Sequence, residues 1–178
     1  MTSDGTGART ALRLRPLRAD DEGAFRHGHE VMAAEDFIFG LGYEPGMDWS
    51  RYLGFLDDAR RGVNLPDRLV PSTFLVADVA GTLVGRASIR HELNDFLWRE
   101  GGHIGYAVLP PYRRRGYATE ILRQSLVLAR AVGVGRTLVT CDDDNAGSAT
   151  VIERCGGELD SVIETGPGKP PKRRYWIS

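Results

Sequence analysis

Apolar and basic positions alternate with period two over Ala11–Leu17, and the period then lengthens behind Asp20, Asp21 and Glu22, where Ala24, Phe25, Gly28, His29 and Met32 recur on one face. The first segment predicts a half-buried strand that Pro16 helps to close, and the second a helix with carboxylates at its positive end. Asp36–Asp48 breaks both periods. Its FIFGLGYEPGM text is too rich in glycine and aromatics for a helix and too apolar for a solvated linker, so it reads as a binding loop. A short helix over Trp49–Arg60 and an irregular, proline-containing connection over Asn64–Pro71 follow. Thr73–Val79 and Leu83–Arg90, joined by Ala80-Gly81, then predict a hairpin. His103–Leu109 is a further strand, stopped by Pro110-Pro111 because proline cannot donate to a ladder.

The most regular stretch is Gly116–Val132, with Ala118, Ile121, Leu122, Ser125, Leu128, Ala129 and Val132 at helical spacing and Glu120, Arg123, Gln124 and Arg130 opposite them. A strand over Arg136–Cys141, a helix over Asn145–Cys155 ended by Gly156-Gly157, and strands at Glu158–Glu164 and Arg173–Ile177 complete the pattern. This order predicts an α+β protein with helices packed on a mixed sheet.

At 178 residues the chain has length for one domain, expected over 10–178, behind a small, polar and disordered lead-in over 1–9. Lys and Arg number 23 against 24 Asp and Glu, a net charge of −1, so nothing global points to nucleic acid or an anionic membrane. Cys141 and Cys155 lack the paired spacing of a zinc site and are too few for a disulfide scaffold. No metal is expected. With neither a signal peptide nor a long apolar run, a cytoplasmic protein is expected, with no membrane partner. A homodimer is admitted.

Candidate chemistry concentrates in GYAVLPPYRRRGYATEIL, Gly105–Leu122, where a strand ends, a basic segment turns and a helix begins at a glycine. The first N–H groups of a helix have no intrahelical partner and, with the macrodipole, attract an anion such as a diphosphate. Gly116 lets backbone approach a ligand, Ala118 keeps the next turn close, Thr119 offers a hydroxyl, and Arg113, Arg114 and Arg115 supply cations. Neither the P-loop nor the Gly-x-Gly-x-x-Gly pattern is present.

Arg113-Arg114-Arg115-Gly116-Tyr117-Ala118 resembles the central motif of the GNAT superfamily of N-acetyltransferases, Arg/Gln-x-x-Gly-x-Gly/Ala. Asn145, Ser148 and Cys155-Gly156-Gly157 are similar in spacing to the family's later motif, and the likeness runs from about Leu12 to Ile177. It implies a central mixed, mostly antiparallel sheet with helices on both faces and strands splayed at the CoA site. It also implies acetyl-CoA as co-substrate, an amine of a small molecule or peptide as acceptor, and CoA contacts from Val108, the Arg113–Thr119 loop including Tyr117, Asn145 and Ser148.

An amine with a pKa near about 10.4 must lose a proton before attack. His103 is the leading candidate base, with Glu100 and Glu92 as alternatives; the other reading of His103 is a hydrogen-bonded sheet residue facing away. A backbone N–H near Val108 can donate to the developing oxyanion. The family's usual acid is a tyrosine on the last helix, where this chain has Ile152, leaving Tyr106, Cys141 or solvent to protonate the thiolate. Glu35, Asp36 and Glu44 among Phe37, Phe39 and Tyr43 suit a cationic acceptor, whereas Arg90 and His91 suit a carboxylate. A catalytically inactive CoA-binding sensor or interaction module is the alternative function.

Overall fold

The computed structural model describes residues 11–178, so the expectation for residues 1–9 lies outside the described residues. Strands β1 (Arg13–Arg15), β2 (Ser72–Val79), β3 (Thr82–Arg90) and β4 (Ile104–Val108) form one antiparallel sheet in that order. Strands β5 (Thr137–Asp142), β7 (Lys172–Ile177) and β6 (Glu158–Ile163) form a second, with β7 in the middle. No ladder joins β4 to β5. They meet at one end only, where the His103 N–H donates to Leu138 O at 2.7 Å and the Leu138 N–H donates back to His103 Nδ1 at 2.9 Å. Beyond that clasp the sheets diverge, the splay expected of the family.

Helices α1 (Glu22–Ala33) and α2 (Trp49–Arg61) cover one face, and α3 (Tyr117–Ala131) and α4 (Ala146–Arg154) the other. Asp48 caps α2 by accepting from the Arg51 N–H at 2.9 Å, and Gly62, at φ 71°, ends it. Because both faces are covered, β3 is buried along nearly its whole length, and its alternate residues serve different cores. Ala87 and Ile89 pack on the α3 side, whereas Arg86, Ser88 and Arg90 face the α1–α2 side.

The elements follow the periodicities within one or two residues, with three differences. Ala24 and Val132 are solvent-exposed, and Leu126 is buried in α3 instead. Asp36–Asp48 is less a binding loop than an arm of the core. Phe39 is fully buried and Tyr43 nearly so, packed with Phe25, Trp49 and Tyr52, because such rings bury more surface than a solvated loop can leave exposed. A Cβ on Gly40 would lie 2.6 Å from Tyr43 Cβ, so this close-packed arm requires glycine there. Finally, Arg15 points inward and binds Asp21 at 2.7 Å and Asp78 at 2.8 Å, tying β1 to β2 and to the turn before α1.

Candidate active site

A cleft of about 870 Å³ opens where β4 and β5 part. Its walls are Tyr106–Val108 of β4, the loop and helix start from Tyr112 to Thr119 except Arg115, and one side of α4 with its cap Asn145. Met32, Glu35 and Phe37 line it from the other side of the sheet. Among the described residues no His, Cys, Asp and Glu group fits a metal, and no helix is long and apolar enough to cross a membrane.

The anion end is made by backbone. Arg114 (φ 61°) and Gly116 (φ 83°) turn the chain through left-handed conformations so that α3 starts facing the cleft. The first intrahelical bond of that turn is Glu120 N–H to Gly116 O at 3.3 Å, and no side chain caps the amides of Tyr117, Ala118 and Thr119. Arg114 lines the cleft. Arg115 instead donates to Pro111 O and lies over the Tyr112 ring. Arg113, expected beside the diphosphate, donates from Nε to Val108 O at 3.1 Å and pairs with Glu35 at 2.6 Å. It braces the loop against β4, and the pairing holds the Glu35 carboxyl below its ordinary value.

Along β4, the Leu109 N–H bonds Val84 O, and the Gly85–Val108 and Ala87–Tyr106 pairings belong to the same antiparallel ladder. Alternation in that ladder turns the backbone polar groups of Val108 away from β3 and into the split, as the Arg113 bond to Val108 O illustrates. On the α3–α4 face of the split, Tyr106 Oη lies 2.8 Å from Ser148 Oγ. Burial pushes the Tyr106 phenol up to about 12, against the opposing effect of the Ser148 hydrogen bond, so it is protonated at neutral pH. Ser148 is held by α4, whose N-cap Asn145 accepts from the Ser148 N–H at 3.0 Å. Asn145 thus shapes the site as a cap. Ile152, where the family has its tyrosine, is fully buried in the core.

Other expected site residues lie elsewhere. His103 is buried in the clasp to β5 and does not line the cleft. Its Nδ1 is already an acceptor, which puts the ring proton of the neutral form on Nε2, and burial lowers its pKa; from this position the ring staples the two sheets together. Glu92 is exposed outside the cleft, and Glu100 sits in the single π-helical turn Leu97–Gly101, also outside it. Tyr43 is a core residue whose hydroxyl accepts from Arg26, and Asp36 is an exposed turn residue at φ 57°. His91 Nε2 is 2.8 Å from Thr73 Oγ1, away from the cleft. Arg90 is turned to the α1–α2 side and donates to Gly101 O and Gly102 O. Cys141 is buried, and burial pushes its thiol up.

Met32, Tyr112, Thr150, Val151 and Arg154 line the cleft without having carried a binding signal in the sequence. They come from three separate parts of the chain that only the fold gathers.

Comparison with curated proteins finds no match by sequence. Among solved structures, yncA of Salmonella typhimurium with its cofactor acetyl-CoA superposes with a TM-score of 0.63 at 18% identity, over 94% of this chain and 93% of that one. RimL, a ribosomal-protein alpha-N-acetyltransferase in complex with coenzyme A, gives 0.65 at 17% identity, over 94% of each chain. An acetyltransferase from Agrobacterium tumefaciens gives 0.60 at 23% identity, over 94% and 90%. At such identities these likenesses speak for the fold. The sequence itself matches the model of the acetyltransferase (GNAT) domain over residues 11–158. The chain therefore belongs to the GNAT acetyltransferases, enzymes that transfer an acetyl group from acetyl-CoA to an amine.

Proposed function

We propose that the cleft is where this chain binds acetyl-CoA and transfers its acetyl group, with the roles divided along the split. The amides of Tyr117, Ala118 and Thr119 and the Arg114 guanidinium receive the diphosphate. The exposed edge of β4 takes the pantetheine, and the Val108 N–H donates to the acetyl oxygen as negative charge develops there. The Tyr106–Ser148 hydroxyl pair faces the sulfur and stabilises the departing thiolate. An amine nitrogen attacks the thioester carbon, the carbon–sulfur bond breaks, and the ammonium proton passes to water. Glu35 is the only carboxylate lining the cleft among the described residues, and its pairing with Arg113 leaves it a poor base. A cytoplasmic setting and a homodimer remain part of this reading.

The observation that carries the proposal is the convergence of three unlike features on one split: a helix start without a cap, a strand edge without a neighbour, and a protonated phenol. Gly116→Val tests it. A Cβ at Gly116 meets nothing within 4 Å, so the variant folds at the expense of about 1–2 kcal/mol for a side chain at positive φ. The branched side chain and the shifted turn should raise the acetyl-CoA Kd at least about 10-fold by titration calorimetry, a loss of about 1.4 kcal/mol. A folded variant with unchanged Kd refutes the placement.

A further inference from the structure

On the face of the split opposite Tyr106, β3 carries three polar residues in succession on one side: Arg86, Ser88 and Arg90. Arg86 is 8% exposed and Ser88 3%. The two guanidiniums flank Gly105 of β4, where a Cβ would lie 3.1 Å from Arg90 and 3.4 Å from Arg86. Two like charges side by side, one buried and one half-buried, favour an anion, yet among the described residues neither has a carboxylate within ion-pair distance.

Neutral groups satisfy only part of their donor capacity. Arg86 donates to Gly105 O at 3.0 Å and Ile38 O at 3.1 Å; Arg90 donates from Nη1 to Gly101 O and Gly102 O. Each guanidinium carries five N–H donors. Arg86 Nε is buried with no partner, and so are Ser88 Oγ beside it and Tyr52 Oη on the α2 side. Burial and the neighbouring Arg90 charge pull Arg86 down to about 9, and burial pulls Arg90 down to about 10. Both remain cations at neutral pH. An unpaired buried donor costs about 1–3 kcal/mol and a charged one more, so the protein maintains this arrangement at the expense of its own stability.

The location links the pair to the reaction. The Arg86 guanidinium lies 4.9 Å from the centre of the Phe37 ring, and Phe37 and Ala107, the register partner of Arg86, both line the cleft. Arg90 lines a second cavity of about 590 Å³, together with Leu41 and Ser72. Arg86 itself lines neither space: it stands behind Phe37 and Ala107 of the cleft wall, next to Arg90 and the chamber that Arg90 lines.

We infer that Arg90, with Arg86, Ser88 and Tyr52 buried behind it, seats an oxyanion of the acceptor, so that this enzyme acetylates amines bearing a carboxylate or a phosphate. The inference rests on the proposed use of the cleft for acetyl transfer. A cationic polyamine is excluded by the same charges that attract an acid. Glu35, which would draw such an acceptor, is neutralised by Arg113.

The test separates binding from turnover. Product analogues are titrated by calorimetry into protein with CoA present: N-acetylglycine and N-acetyl-leucine, their amides, N-acetyl-phosphoethanolamine and N-acetylputrescine. A carboxylate seat binds the acids about 10- to 100-fold tighter than the amides, as one charge-assisted contact to a buried partner provides. A phosphate seat favours N-acetyl-phosphoethanolamine instead. Arg90→Gln should abolish the preference and Arg90→Lys restore part of it, with thermal melting confirming that both fold. Equal affinity for acids and amides with no gain from phosphate, or tightest binding of N-acetylputrescine, overturns the inference, as does a preference unchanged in Arg90→Gln. Acetyl-CoA affinity is measured on the same samples. Intact CoA binding with no acid preference sinks the anion seat alone, whereas lost CoA binding sinks the reading of the cleft.

Discussion

Replacing Tyr106 with Phe removes one oxygen from the thiolate side of the site, and the structure sets the size of the effect. A phenol held near 12 cannot readily give its proton to a thiolate whose thiol has an ordinary value of about 8.5; full transfer climbs about 5 kcal/mol. Tyr106 should therefore stabilise the thiolate by a hydrogen bond while water supplies the proton. A hydrogen bond to a charged group is worth about 1.5–3 kcal/mol, so Tyr106→Phe should lower kcat by about 10- to 100-fold, with acetyl-CoA Kd nearly unchanged. Ser148→Ala should lower it less, because Ser148 acts by orienting the phenol, and the double variant should fall short of the product of the two losses. Release of free thiol from acetyl-CoA, followed from pH 6 to 10, reads all three. The wild-type profile should rise with deprotonation of the amine and show no descending limb from Tyr106 within that range. A descending limb near neutrality that Tyr106→Phe abolishes, or a loss well beyond 1,000-fold, would mean that the phenol is a true proton donor, and the reasoning fails.

His103→Ala leaves the Leu138 N–H without its acceptor and should cost about 1–3 kcal/mol in denaturant unfolding, while the shape of the pH–rate profile stays as in the wild type; loss of an acidic limb at unchanged stability would restore His103 as the base. Stability itself should depend on pH in two windows. Burial holds His29, His91 and His103 below their ordinary value, so the unfolded chain takes up protons first as pH falls through about 6.5, and stability present above that point declines toward their lower folded values. Asp21 is held down by Arg15; Asp78 is held down by the Gly81 N–H and Arg15 against the upward push of burial, so a second loss should set in below about 4. A denaturation midpoint constant from pH 8 to 5 would refute the first window, and Asp21→Asn, which breaks a buried ion pair, should cost about 3–5 kcal/mol at pH 7 and flatten the second.

The strands and helices were legible because their hydrophobic periods are clean, and Gly116–Val132 shows it best: the helix runs Tyr117–Ala131. The strand–loop–helix junction that walls the cleft was legible because backbone makes it, and backbone geometry follows from glycine and proline positions. Side-chain roles were harder to read. Arg113 lines the cleft, but the sequence does not reveal that Glu35 of a distant helix end pairs with it there. Tyr43 and Phe39 read as part of a binding loop because an aromatic loop over a site and one inside a core have the same composition. One signal was there to be used. Arg86, Ser88 and Arg90 keep a polar period of two along a strand that lies inside its sheet, where a covered face should be apolar. Placing β3 centrally converts an ordinary amphipathic strand into a buried charged one.

The position of β7 bears on how this molecule is made. β5 and β6 both find their ladder partner in β7, which comes after them in chain order. On the ribosome the first sheet can close as soon as β4 has emerged, because β1 to β4 pair in sequence. The second half waits: β5 and β6 present open edges until residues 172–177 slide between them. At about 5–20 residues per second that delay is a matter of seconds, during which the β4 wall of the cleft is already built and the other side exists only as unpaired chain.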